Sequence, residues 1–261
     1  MHSAGGSGSP FNAAPILVGR AREQVFLREE LVTATGGRGR LVLIGGEAGI
    51  GKTTLARDLE REASGRGVQV LTGHCYDLTN TPPYGPWLDL VAGGRPSGGP
   101  APPAAFAGGR LSGTITNQAA LFAEVHDFFA GVAAAGPTLV VLEDLHWADP
   151  ASIELLRYLA ARVGSLPLLV VATYRIDELT RRHPFYQQLP ALIREADALR
   201  LDLRRLATSD LQALIAGQWS LAAAVLISPR GTCSVSRPTC GGSWCNPETA
   251  ATRPPARSTT A

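Results

Sequence analysis

Cysteine, net charge and long apolar runs are all scarce in this sequence of 261 residues. Four cysteines are too few for a disulfide framework, and Cys75 is alone in the main body of the chain. A formal net charge of +2 is too small to predict binding to nucleic acid or to an anionic membrane. The apolar run over residues 221–227 falls far short of the roughly 18 residues that a membrane helix needs. The composition therefore predicts a protein without membrane contact.

The amino-terminal segment does not have the pattern of a signal peptide. Residues 1–14 are rich in Gly and Ser and lack a basic stretch followed by an apolar one. This segment is predicted to be a disordered leader, and a cytoplasmic location is expected.

A glycine-rich segment between an apolar run and a helical pattern is the most informative feature of the chain. It follows the apolar residues 41–44, leads into a predicted helix over 52–64, and consists of Gly46, Glu47, Ala48, Gly49, Ile50, Gly51, Lys52 and Thr53. A strand, a glycine-rich turn and a helix are the setting of a phosphate-binding P-loop. The glycines allow a tight curl that points several N–H groups at one phosphate chain. Lys52 is predicted to reach the β- and γ-phosphates and Thr53 to hold Mg²⁺; the alternative is a chance match by a glycine-rich turn.

The remaining patterns predict strands that alternate with helices. The expected helices cover residues 19–33, 52–64, 117–134, 149–163 and 185–195. The expected strands cover residues 41–44, 68–71, 138–142, 167–173 and 199–203. Residues 79–86 are predicted to form turns, and residues 93–109, rich in Gly, Pro and Ala, a loose surface loop. The pattern predicts an α/β P-loop NTPase fold, a three-layer sandwich with a mainly parallel five-stranded sheet.

Two adjacent carboxylates follow the apolar strand over residues 138–142. Ligands of open parallel sheets bind at the carboxyl ends of the strands, where Glu143 and Asp144 are placed. One acid can hold the water shell of Mg²⁺, and the other can orient or deprotonate an attacking water. Position favours Glu143 as the Mg²⁺-side acid and Asp144 as the catalytic acid, but the Glu-Asp order leaves the two roles open. The alternative is a solvated acidic turn.

The strand over residues 167–173 leads to an arginine. If this strand neighbours the acid-bearing one, Arg175 emerges beside the acids and can sense or stabilise a γ-phosphate. The alternative is an ordinary surface arginine at a strand end. His146 and Trp147 follow the acids, but no metal-ligand spacing surrounds His146, and both are predicted to be structural.

Several short motifs, taken together and in order, resemble one family. They are Val18-Gly19-Arg20, the P-loop followed by Thr54 and Leu55, Pro82-Pro83-Tyr84-Gly85-Pro86-Trp87, the acidic segment over residues 141–152, and Thr173-Tyr174-Arg175. Over roughly residues 17–217 the chain resembles the origin-recognition-like AAA ATPase domain of the STAND class. Such domains occur in large ATP-binding LuxR-type transcription regulators and in some adenylate cyclases.

The resemblance implies ATP or ADP with Mg²⁺ as ligands. The residues that it assigns to the nucleotide are Val18, Gly19, Arg20, Gly46, Glu47, Ala48, Gly49, Ile50, Gly51, Lys52, Thr53 and Thr54. It makes Thr53 and Glu143 the Mg²⁺ ligands, and Glu143, Asp144 and Arg175 the catalytic set, with Val18, Gly19 and Arg20 against the adenine. Proteins of this family are slow ATPases used as switches, closed with ADP and oligomeric with ATP. Ala21 departs from the family pattern, which has an acid after Gly-Arg.

The chain departs most from the family pattern at its end. The family continues with a helical lid, a winged helix and a long array that ends in an effector. Here residues 15–205 are expected to form the ATPase domain, residues 206–227 a remnant of the lid, and residues 228–261 a tail without core patterning. We interpret the tail as the product of a frameshifted or truncated reading frame; the alternative is a genuine disordered segment.

Two functions follow from these observations. The first is an ATP-binding, weakly hydrolysing switch domain of a STAND-type regulator that lacks its effector. It would associate with itself through the ATPase domain and contact DNA only through an effector outside this chain. The second is a nucleotide-binding fragment without turnover, either an interaction module or a non-functional product. A metabolic kinase is disfavoured because the acids, the residues 145–147 that follow them and Arg175 fit a switch ATPase better.

Overall fold

The computed structural model describes residues 17–77, 82–93, 99–113 and 115–216. The helices are α1 (Ala21–Thr35), α2 (Lys52–Gly65), α3 (Gly85–Gly93), α4 (Gln118–Ala135), α5 (Pro150–Ala160), α6 (Pro184–Glu195) and α7 (208–216). The strands are β1 (Arg40–Gly46), β2 (Gln69–His74), β3 (Thr138–Glu143), β4 (Leu168–Arg175) and β5 (Leu199–Asp202). The predicted leader, the predicted tail and the lid remnant beyond residue 216 lie outside the described residues.

The five strands form one sheet in the order β2-β3-β4-β1-β5, and every neighbouring pair is parallel. This confirms the predicted five-stranded sheet, which is parallel throughout rather than mainly parallel. In the register of β1 and β4, Gly46 pairs with Arg175, and in that of β1 and β5, Gly45 pairs with Asp202. The P-loop and Arg175 therefore leave the sheet side by side.

Helices cover both faces of the sheet because alternate strand residues point to opposite sides. In β1, Leu41 and Leu43 pack into a cluster with α3, α4, α5 and α6. Val42 and Ile44 pack into a second cluster with α1 and α2. These two cores make the three-layer sandwich that the sequence predicts. None of the helices in the described ranges is long and apolar enough to span a bilayer.

Helix α5 begins as its sequence predicts. Asp149 is the N-cap, and its carboxylate accepts a hydrogen bond of 2.9 Å from the backbone N–H of Ser152. Pro150 occupies the first turn, where its missing N–H has no partner to lose. This cap fixes the point at which the chain turns away from the acid-bearing end of β3.

Two segments that were expected to be irregular contribute to the core. Helix α3 starts within the predicted turns and packs so closely on β2 that a Cβ on Gly73 would lie 2.2 Å from the carbonyl oxygen of Pro86. Phe106 lies in a short 3-10 turn (Ala104–Gly109) and is fully buried. The centroid of its ring is 5.6 Å from that of the Tyr84 ring. The expectation of a loose surface loop over residues 93–109 was therefore wrong for this part of it.

Candidate functional site

A cleft of about 200 Å³ lies where the chain leaves the carboxyl ends of β1, β3 and β4. Its lining residues are Gly49, Ile50, Gly51, Lys52, Thr53, Thr54, Asp144 and Arg175. All of them belong to the set that the sequence nominated, and they come from three segments far apart in the chain. The position matches the general rule that open parallel sheets bind ligands at the carboxyl ends of their strands.

One side of the cleft, which we call the glycine-rich wall, consists of residues 46–54. Gly49 and Gly51 have φ angles of 68° and 103°, in the left-handed region that favours glycine. Gly51 also precedes the first residue of α2, and no side chain caps the start of this helix. The first N–H groups of α2 are therefore available to an anion, which the helix dipole also favours.

Lys52 lies at the base of the glycine-rich wall and is the only lysine in the sequence. Its side chain is 6% exposed, and its Nζ donates hydrogen bonds to the carbonyl oxygens of Gly46 (3.0 Å) and Glu47 (2.8 Å). Burial lowers the pKa of the Lys52 ammonium, and the carboxylate of Asp144 opposes that shift. A phosphate group in the cleft would add further negative charge and so stabilise the charged form.

The segment predicted to contact the base, residues 18–20, contacts the P-loop but does not line the cleft. A Cβ on Gly19 would lie 2.6 Å from the carboxyl carbon of Asp210 in α7. Arg20 is 5% exposed, and its Nη2 donates a hydrogen bond of 3.0 Å to the carbonyl oxygen of Ile50. Val18 is half-buried beside these residues in the chain. The segment thus connects α7 with the P-loop.

Two predicted residues of the P-loop point outward. Ala48 is exposed, and Glu47 forms an exposed ion pair of 2.8 Å with Arg205, which follows β5. An exposed pair of this kind contributes little to stability. It links the P-loop to the connection between β5 and α7.

The opposite side of the cleft, which we call the acidic wall, is formed by Glu143, Asp144 and Arg175. Asp144 has a φ of 62°, unusual for a residue other than glycine. Its N–H donates a hydrogen bond of 3.0 Å to Oγ1 of Thr173 on the neighbouring strand. This contact holds the turn that brings the Asp144 carboxylate to the cleft.

Glu143 is the buried base of the acidic wall and does not itself line the cleft. Its side chain is 8% exposed, and its Oε2 lies 3.7 Å from Nε2 of His74 at the end of β2. Burial raises the pKa of Glu143, while His74 and Arg57 oppose that shift. The structure therefore places the two acids differently, and the role of Glu143 as a Mg²⁺ ligand stays a prediction.

Arg175 emerges beside Asp144 because β3 and β4 are neighbouring strands. Its guanidinium forms an ion pair with Glu178 and lies over the ring of Trp147, 5.0 Å from the ring centroid. The condition on which the expectation for Arg175 depended, adjacency of the two strands, is therefore met.

His146 has a position that its sequence pattern does not predict. Its side chain is fully buried, with Nδ1 3.8 Å from an oxygen of Asp144 and Nε2 3.5 Å from an oxygen of Glu178. Neither ring nitrogen has a hydrogen-bond partner among the residues that the structure describes. Burial lowers the pKa of His146, and the two carboxylates oppose that shift. Its spacing from Asp144 was the only signal, and that spacing alone does not distinguish a core histidine from a functional one.

The cleft fits Mg²⁺ only in combination with phosphate. Its side-chain oxygens are the hydroxyls of Thr53 and Thr54 and the carboxylate of Asp144, which are ligand types that Mg²⁺ accepts. Over the described ranges, no group of three or more His, Cys, Asp and Glu residues is placed to hold a metal ion. A Mg²⁺ ion in this cleft would share its coordination with water and with phosphate oxygens, as it does in other P-loop sites.

Comparison with known proteins gives a match to a family model and a match to a curated protein. A family model described as AAA ATPase domain matches residues 16–171. An uncharacterized protein of Rhizobium meliloti (strain 1021) is 28% identical over an alignment 213 residues long, which covers 70% of this chain and 20% of that protein. The chain therefore spans about a fifth of the length of this relative.

Similar folds occur among solved structures at low identity. The Aeropyrum pernix ORC1 protein in complex with DNA is 18% identical with a TM-score of 0.48, covering 81% of this chain and 52% of that one. AMPPCP-bound DnaA from Aquifex aeolicus is 16% identical with a TM-score of 0.44, covering 77% of this chain and 51% of that one. DNA and AMPPCP are the ligands of those two proteins.

Proposed function

Because the chain belongs to the AAA ATPase domain family, we propose that it binds ATP with Mg²⁺ and hydrolyses it slowly, as the nucleotide switch of a STAND-type regulator. The observation that carries the proposal is the convergence of Lys52, Asp144 and Arg175 on one cleft. Phosphoryl transfer needs a cation that binds the phosphates, a carboxylate that orients the attacking water and a second cation that stabilises the charge developing on the transferred phosphate.

In this proposal the glycine-rich wall binds the phosphate chain. The free N–H groups at the start of α2 and the ammonium of Lys52 face the same cleft. Lys52 exchanges its bonds to two loop carbonyls for bonds to phosphate oxygens, which carry more negative charge. Thr53 would hold Mg²⁺, which supplies charge neutralisation at the phosphates when it is bound.

The acidic wall carries out the chemistry in this proposal. Asp144 orients a water molecule and accepts its proton, and Arg175 stabilises the negative charge that develops on the γ-phosphate. Glu143 joins the Mg²⁺ site only if its carboxylate moves away from His74. Slow turnover is expected because Arg175 is engaged by Glu178 and has to exchange that partner for phosphate.

The switch role of the proposal rests on the family resemblance and on the position of α7. This helix contacts Gly19 next to the P-loop, so an element attached to α7 can respond to the contents of the cleft. Self-association through the ATPase domain and DNA contact through a separate effector belong to the same proposal. Both would be properties of a full-length regulator that contains such a domain.

Equilibrium binding and turnover test the proposal together. A fluorescent ATP analogue with Mg²⁺ should bind the purified chain and be displaced by unlabelled ATP. Asp144→Asn should leave that affinity nearly unchanged and lower phosphate release by about 100-fold, the size of effect typical of a lost general base. Asp127→Asn is the matched control, since Asp127 is 80% exposed on α4 and does not line the cleft.

Three results would contradict the proposal in different ways. Absence of ATP binding by a chain with native circular dichroism would refute nucleotide binding. Tight binding with no turnover, unchanged in Asp144→Asn, would support a binding module instead. Transfer of phosphate to an added small acceptor would support a kinase.

A further inference from the structure

Arg20 is a buried cation that bonds to the P-loop on one side and to helix α1 on the other. Its Nη2 donates to the carbonyl oxygen of Ile50 at 3.0 Å, and its Nη1 pairs with Glu23 at 3.1 Å. A guanidinium has five N–H donors, and Arg20 is 5% exposed, so little water reaches the remaining donors. Burying a charge in this way is unfavourable unless its ion pair and hydrogen bonds offset the lost hydration.

The contact with Ile50 has a geometric consequence one residue further on. The peptide group is planar and trans, so the C=O of Ile50 and the N–H of Gly51 point in opposite directions. Ile50 and Gly51 both line the cleft and Arg20 does not, so a C=O that faces Arg20 leaves the Gly51 N–H on the opposite side of the peptide. No hydrogen bond from the Gly51 N–H occurs within the described ranges, so this donor is available to a ligand.

We propose that Arg20 is a positioning residue, which fixes the peptide between Ile50 and Gly51 so that the Gly51 N–H faces the phosphate chain of the nucleotide. The inference rests on the proposed function, because it concerns the same cleft. It differs from the expectation that Arg20 lies against the adenine. A base contact would make Arg20 a determinant of nucleotide identity, whereas a peptide contact makes it a determinant of affinity for phosphates of any nucleotide.

The pair formed with Glu23 supports the positioning role. Glu23 lies in the first turn of α1 and is 20% exposed, so it orients the guanidinium from the solvent side. Arg20 itself precedes α1 and thereby joins that helix to the P-loop. Arg20→Met leaves the Glu23 carboxylate without its partner, but Glu23 is 20% exposed and water can solvate it, so the variant is expected to fold.

The test compares ligands that share phosphates but differ in the base. For Arg20→Met, affinity for ATP, GTP and inorganic tripolyphosphate should each fall about 10-fold, the loss expected for one hydrogen bond to a charged group. The ratio of ATP to GTP affinity should stay at the wild-type value. Arg20→Lys keeps the charge and an N–H donor group and should recover part of the loss. Arg28→Met is the matched control, because Arg28 is on α1, the helix that Arg20 precedes, and pairs with Glu62 at 2.6 Å, outside the P-loop.

A second readout follows the peptide itself. In an amide NMR spectrum, tripolyphosphate should shift the Gly51 resonance in the wild-type chain and shift it less in Arg20→Lys. A changed ATP to GTP ratio, or an affinity for tripolyphosphate equal to wild type in both Arg20 variants, would overturn the inference. If the wild-type chain and Arg28→Met bind ATP, such a result refutes only the role of Arg20. If the wild-type chain binds no ATP, the proposed function fails and the inference fails with it.

Discussion

The two walls of the cleft are built from different material. The glycine-rich wall is mostly backbone: N–H groups at the start of α2, two glycines with positive φ and one lysine. The acidic wall consists of side chains that come from β3, from β4 and from the turns after them. One wall is determined by consecutive residues, and the other by contacts between segments that are distant in sequence.

This difference separates binding from chemistry. A backbone wall offers fixed dipoles, which any phosphate chain can use. A side-chain wall depends on how each group is held: Asp144 by Thr173, and Arg175 by Glu178 and Trp147. Substitutions in the first wall should therefore change affinity, and substitutions in the second should change turnover. Variants of each wall test that division.

Lys52→Ala should weaken Mg²⁺–ATP binding by about 100-fold or more, because charge-assisted hydrogen bonds to two phosphates are lost. Displacement of a fluorescent ATP analogue measures this change. Arg61→Ala removes a cation from the exposed face of the same helix, where Arg61 pairs with Asp58 at 3.0 Å, and should leave the affinity unchanged. Wild-type affinity in Lys52→Ala would mean that the cleft is not the nucleotide site.

Gly51→Ala tests whether the backbone conformation of the glycine-rich wall, and not a side-chain contact, determines its affinity for ATP. A Cβ at this position would meet no atom within 4 Å, but the φ of 103° is strained for alanine. ATP affinity should fall about 10-fold, corresponding to about 1.4 kcal/mol.

The control for Gly51→Ala is Gly136→Ala. A Cβ on Gly136 would also meet no atom within 4 Å, and the φ of this residue is an extended 166°. Titration with the same fluorescent analogue should give the wild-type affinity for this variant. Equal losses in both alanine variants would contradict the conformational explanation.

Thr173→Val should act on turnover more than on binding. The substitution keeps the shape of a fully buried side chain but removes the acceptor for the Asp144 N–H. An unsatisfied buried donor costs about 1–3 kcal/mol, and the Asp144 turn becomes less well held. Phosphate release should fall about fivefold while ATP affinity changes little. The control is Thr72→Val on β2, which removes a hydroxyl that donates to Glu60 on α2 and should leave turnover unchanged. Equal losses of turnover in the two valine variants would mean that the effect comes from general instability.

His146 should give a small pH dependence of stability. Its pKa in the folded protein is below the ordinary value of 6.5, so the unfolded chain binds the proton more readily. The stability that neutral His146 provides is present above pH 6.5 and is lost as the pH falls below it, by at most about 1.4 kcal/mol per pH unit.

Urea denaturation at pH 7.5 and pH 5.5 measures this effect. The wild-type chain should lose more free energy of unfolding between these values than His146→Gln. Glu143, whose pKa is raised, acts in the opposite direction, because its contribution is lost as the pH rises; it is common to both proteins and cancels in the difference. If the free energy of unfolding changes equally with pH in the two proteins, the pKa of His146 is the same in the folded and unfolded chain.

The glycine-rich wall and the strands could be predicted because their signals are local. The apolar run before Gly46 and the positive-φ glycines at 49 and 51 act within a few residues, so the chain specifies this wall directly. The N-cap at Asp149 is equally local. These features depend on residue type and spacing and not on distant partners.

The acidic wall and part of the core could not be predicted because distant contacts decide them. That Asp144 reaches the cleft while Glu143 turns to His74 depends on β2 and β4, which are far away in sequence. Phe106 is surrounded by small residues in the chain, and its burial depends on Tyr84. Helix α3 begins with Gly and Pro, which are typical of turns, although Pro is also accepted in a first helical turn.

The single lysine makes the P-loop measurable by proteolysis. An endoprotease specific for lysine has one cleavage site in the chain, after Lys52, at the start of α2. The side chain is 6% exposed and bonded to two carbonyl oxygens, so cleavage requires the loop to open first. A ligand that binds only the closed loop slows opening-dependent cleavage in proportion to 1 + [L]/Kd. The rate of cleavage after Lys52 therefore measures how often this loop opens.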